Sequence, residues 1–100
     1  MDDMERKAEH KAAGYAGYVE CYLQRNAKSQ CTMTDATEAI WGTSGRGNPN
    51  AVRIIEAVAM LGYLKIEKAG KVKRIVYRTD KPIPEEAFTA EDRKWALEQY

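Results

Sequence analysis

The stretch from Asn48 to Thr79, NPNAVRIIEAVAMLGYLKIEKAGKVKRIVYRT, changes hydrophobic period at its middle, and this constrains the fold more than any other feature. In its first half Ala51, Ile54, Ile55, Val58 and Leu61 recur at three- and four-residue spacing. That spacing predicts one buried stripe of a helix, widened by Val52 and Ala59. Asn48 is suited to cap the helix, and Pro49 fits the first helical position, where no N–H is needed and φ is already helical. Gly62 supplies the left-handed residue that ends many helices. Asn50, Arg53, Ala57 and Met60 remain on the opposite face.

Beyond Gly62 the period falls to two. Tyr63–Glu67 alternates, as does Val72–Thr79, and both are rich in the β-branched and aromatic residues that strands favour. Lys68-Ala69-Gly70-Lys71 lies between them and predicts a short hairpin turn, with Gly70 free to take positive φ. Lys68, Lys71, Lys73 and Arg74 crowd the tip and the descending strand. Lysines on an edge hairpin also serve simply to block edge-to-edge pairing.

Upstream, Cys31-Thr32-Met33 is a candidate brief strand pairing with that hairpin. Thr34–Trp41 reads as a short helix, with Asp35 as its cap, Glu38 at capping-box spacing, and Ala36, Ala39 and Ile40 turned inward. A glycine-rich connection, Gly42 to Gly47, leads to the next helix. Residues 3–26 predict a long first helix with Ala12, Tyr15, Ala16, Val19, Tyr22 and Leu23 on one side. Gly14 and Gly17 weaken its middle by roughly 1 kcal/mol each, or permit a close helix–helix approach. After Pro82-Ile83-Pro84, Thr89 opens a last helix, TAEDRKWALEQY, with Asp92 at capping-box spacing. This helix carries Trp95 and Tyr100 and must pack on its own body or on a second copy.

In its order of helix, turn, helix and basic hairpin, Thr34 to Thr79 resembles the winged helix-turn-helix superfamily. AVRIIEAVAMLGYLKIEKAGKVKRIVYRT is its most similar part. The connection between the two helices is longer and richer in glycine than the tight turn of standard members. The resemblance implies an α+β fold with three core helices, a β-hairpin wing and an extra C-terminal helix. Residues 1–80 would form the domain, and 81–100 a linker and helix packed on the body or on a dimer partner. It also implies a DNA-binding regulator of a bacterium, phage or mobile element, and makes a homodimer through the terminal helices reasonable.

Charge points the same way. The net charge of +1 hides a basic middle: residues 43–79 carry eight Lys/Arg against Glu56 and Glu67. The flanking segments are both net acidic. Positive charge therefore gathers where the resemblance places a phosphate backbone. Arg46, Asn48 and the amides opening the helix that starts at Pro49 would meet phosphates, since a helix N-terminus attracts anions. Asn50 and Arg53 would reach base edges, Asn being suited to adenine and Arg to guanine. Lys68, Lys71, Lys73 and Arg74 would touch backbone or an adjacent minor groove. Ala57 and Met60 suit a protein contact equally. The alternative is therefore a protein-binding module, such as an adaptor or a mobile-element inhibitor docked on a nucleic-acid-handling complex. The acidic ends favour that alternative.

Other classes find little support. One hundred residues with 44% apolar content suit a single core. No apolar run approaches the roughly 20 residues that span a bilayer, and the acidic N-terminus does not resemble a signal peptide, so a cytoplasmic protein is expected. Cys21 and Cys31 read as reduced, partly buried residues, and with His10 the one histidine no metal site is expected. Gly42 to Gly47 lacks the Gly-Lys-Ser/Thr ending of a phosphate loop. No nucleophile–base pair or cofactor motif appears, so neither an enzyme nor a cofactor is expected.

Overall fold

A computed structural model describing residues 3–71 and 73–98 has four α-helices and a small three-stranded antiparallel sheet. The elements are α1 (Asp3–Arg25), β1 (Gln30–Thr32), α2 (Met33–Trp41), a 3-10 turn (Gly42–Gly45), α3 (Pro49–Met60), β2 (Leu64–Ala69), β3 (Lys73–Arg78) and α4 (Ala90–Glu98). Val72 and Tyr100 lie outside the described residues. Among the described residues no helix is long and apolar enough to cross a membrane.

The strands lie in the order β1-β3-β2, so β3 is central. Cys31 pairs with Val76, and Val76 with Ile66, which sets one inward row across the sheet. Against that face pack Val19 and Leu23 of α1, Ala36 of α2, and Ile55 and Val58 of α3. The short β1 works because its one inward residue, Cys31, falls in register with buried Val76; Gln30 and Thr32 face solvent.

Both ends of α3 follow its sequence. Asn48 Oδ1 accepts the Asn50 N–H at 2.9 Å. At the other end Gly62 takes φ 92°, its N–H reaching Ala59 O at 3.0 Å while Tyr63 N–H reaches Val58 O at 3.4 Å. This paired arrangement satisfies carbonyls the last turn would leave open. Leu61 departs from expectation: it is the C-cap, past the end of the inward stripe, and is 40% exposed.

The cap of α2 is also shifted. Thr32, not Asp35, is the N-cap, and its Oγ1 accepts the Asp35 N–H at 3.1 Å. Met33 consequently begins the helix instead of ending a strand. The glycine-rich connection is held firmly to α2. Thr37, fully buried, donates through Oγ1 to Thr34 O at 2.8 Å and accepts the Gly47 N–H at 3.3 Å. Gly45 passes so close that a Cβ there would lie 2.6 Å from Trp41 Cβ and 2.9 Å from Thr37 O. A longer connection than a tight turn is thus bonded back onto α2, which fixes how α3 departs from it.

The C-terminal segment packs on α1 of the same chain. Phe88 and Ala96 form a second core with Cys21, flanked by Tyr18, Ile83 and Leu97. Gly17 lets the Phe88 ring lie directly on α1, where a Cβ would fall 2.4 Å from Phe88 Cγ. The close approach is thus by the Phe88 side chain, just before α4, and buries a flank of α1 that the inward stripe did not include. Thr89 and Asp92 cap α4 reciprocally, each donating its N–H to the other's side chain at 3.1 Å. Glu20 fastens the assembly, approaching Arg78 of β3 at 3.5 Å and Arg93 of α4 at 3.4 Å.

Candidate nucleic-acid interface

The cations of the middle segment divide into two groups by their neighbours. Arg46, Lys65, Arg74 and Arg78 each approach a carboxylate. Arg46 Nη1 hydrogen-bonds Glu38 at 2.6 Å and stands 3.9 Å from Asp35. Lys65 pairs with Glu67 at 2.8 Å, Arg74 with Glu56 at 3.3 Å, and Arg78 with Glu20. The hydrogen bond and charge of Glu67 hold the Lys65 pKa above the usual lysine value. Arg53, Lys68, Lys71 and Lys73 are exposed and have no ion pair among the described residues.

The fold brings two cations of each group to one place. A groove of about 640 Å³ runs between the N-terminal end of α2, the outer side of α3 and the start of β3. Arg46, Arg53, Lys73 and Arg74 line it, with Glu56 as the acid among them. Val52, Met33 and Pro49 make its apolar floor, and Thr32 and Thr34 lie at the α2 end. Arg46 and Arg74 are paired with carboxylates, so Arg53 and Lys73 are the groove's cations without an ion pair among the described residues. Lys68 lies on the other flank of the hairpin, beside Met60 and Ile66, and Lys71 sits at the exposed turn.

The remaining candidates are placed differently. Asn48 is occupied as the α3 cap: its side chain takes the Asn50 N–H, and its carbonyl takes the Val52 N–H at 3.0 Å. With Pro49 lacking an N–H, the opening turn offers fewer free amides to an anion than its position suggested. Arg46 is held by α2, so its charge is partly neutralised. Asn50 and Arg53 are exposed on the outer face of α3, with Ala57 and Met60 following at helical spacing. Glu38 and Glu56 were not legible as partners, since only the fold brings Glu38 to Arg46 and Glu56 to Arg74.

Cys21 and Cys31 are both free and buried. Burial, reinforced by Asp35, pushes the Cys31 thiol up to about 12; burial likewise raises Cys21. Among the described residues no group of three His, Cys, Asp or Glu is arranged to hold a metal ion. Comparison of the chain with models of known protein families, with curated proteins and with solved structures finds no match.

Proposed function

We propose that this protein is a winged helix-turn-helix binder of duplex DNA, acting as a transcriptional regulator. The order α1-β1-α2-α3-β2-β3 with sheet order β1-β3-β2 supports the winged-helix reading. The observation that carries the function is one groove lined by Arg53 of α3 and Lys73 of β3, both unpaired among the described residues, with Arg46 and Arg74 beside them. A phosphodiester strand would follow this groove while the outer face of α3, led by Asn50 and Arg53, meets base edges in the major groove. Lys71 at the turn would reach the backbone beyond.

A second reading is a protein-binding module on the same fold. It is favoured by the neutralisation of Arg46, Lys65, Arg74 and Arg78 by carboxylates of the same chain. Titration of a labelled duplex of mixed sequence separates the two. For DNA binding, affinity drops by orders of magnitude between 50 and 200 mM salt if several phosphates are contacted. Absence of binding at the lower salt concentration would favour the module.

A further inference from the structure

The outer face of α3 changes character along its length. Asn50 and Arg53 are polar, but Ala57 and Met60, which continue the same stripe, are apolar and exposed. Met60 is 89% exposed, although a long apolar side chain gains by burial. It borders a notch of about 340 Å³ between the end of α3 and the hairpin, lined also by Ile66, Lys68, Arg74 and Glu56. Glu56 is already engaged by Arg74. Lys68 has no ion pair among the described residues and stands at the rim of this apolar spot.

An apolar surface bordered by unneutralised positive charge fits a partner that is polyanionic yet presents apolar groups at regular intervals. Duplex DNA does this in its major groove, where each thymine exposes a C5-methyl between the phosphate ridges. From Asn50 to Met60 the helix rises about 15 Å at 1.5 Å per residue. At about 3.4 Å per base pair that spans four to five base pairs. One face of α3 is therefore long enough to carry polar base contacts at one end and apolar contacts at the other.

We infer that Ala57 and Met60 contact thymine methyl groups, so that the preferred duplex carries A·T pairs on the side of the site read by the C-terminal half of α3. The inference rests on the duplex-binding proposal and adds the base class recognised. The test uses two A·T-rich duplexes of identical sequence, one with thymidine and one with deoxyuridine throughout, which differ by the C5-methyl alone. Both are titrated against the full chain and against Met60→Ala at one salt concentration. The wild-type chain is expected to bind the thymidine duplex roughly fourfold more tightly for each methyl contacted. Met60→Ala is expected to lose most of that preference while keeping the same salt dependence. Equal affinity for the two duplexes, or a preference unchanged by Met60→Ala, overturns the methyl contact and leaves duplex binding intact. Self-association that disappears in Met60→Ala, together with equal affinities, assigns the patch to a second copy and overturns the inference as well. Failure of both duplexes to bind at low salt overturns the underlying proposal.

Discussion

Arg74 on β3 reaches Glu56 on α3 with 3.3 Å between nitrogen and oxygen, fastening the hairpin to the helix and cancelling one cation at the groove. Both side chains are nearly half exposed, so the pair itself contributes only about 0–1 kcal/mol to stability. Its larger effect is on charge. Glu56→Gln keeps the side-chain shape and frees Arg74. Duplex affinity is expected to rise, and the logarithmic salt slope to steepen by about 0.9, the value of one added phosphate contact. The thermal midpoint is expected to move little. Paired titrations and melts measure the two effects, and an unchanged slope would show that Arg74 does not face the backbone.

Gly17 shows the opposite sensitivity, being distant from the groove but critical for packing. Its α-carbon faces the Phe88 ring, with three ring atoms 2.4–2.7 Å from where a methyl would stand. In a free helix Gly17→Ala would stabilise by roughly 1 kcal/mol. Here the overpacking cost, typically about 1–3 kcal/mol, is expected to win. The midpoint should fall while the salt slope of duplex binding stays constant. A rise in midpoint would mean that Phe88 does not lie on α1.

Thr37 holds the connection between α2 and α3. Thr37→Val preserves shape but removes the oxygen that donates to Thr34 O and accepts the Gly47 N–H. Leaving that amide without its partner costs about 1–3 kcal/mol. A fall of several degrees in the melting midpoint checks this. Arg46→Ala, which removes a more exposed contact, is expected to cost less.

These three positions show how far the sequence could be read. The helices, hairpin and short β1 follow from local signals: the spacing of Ala51, Ile55 and Val58, the Asn48–Pro49 start, and the alternation around Ile75 and Val76. The end of α1, expected at Asn26, falls one residue earlier. It stops at Arg25 because Ala27 takes φ 50°, with Lys28 N–H bonded to Leu23 O, a conformation alanine does not advertise. The groove was only half legible. Its cations are evident in the sequence, but the carboxylates that neutralise Arg46, Arg74 and Arg78 come from other elements. No spacing rule connects Glu20 to Arg78 or Glu38 to Arg46.

The two thiols provide a probe of the core. Cys31 has its pKa raised from 9.0 to about 12 by burial and by Asp35, so the native state keeps its proton when the unfolded chain would lose it. The stability this contributes is fully present below pH 9 and declines as pH rises from 9 towards about 12. At pH 8 neither Cys21 nor Cys31 is expected to react with a thiol reagent in the native protein, while both react in denaturant. Rapid native labelling of either would contradict its burial.

The most direct measurement of the interface is the slope of log affinity against log salt for one duplex, for the wild-type chain and for a variant with Arg53, Lys71 and Lys73 all changed to alanine. All three side chains are exposed, so the variant should fold. The expected result is a steep negative slope for the wild type, shallower by up to about 2.7 in the variant, with affinity reduced at every salt concentration. A wild-type affinity indifferent to salt, or a variant indistinguishable from it, would contradict a phosphate-binding groove between α3 and the hairpin.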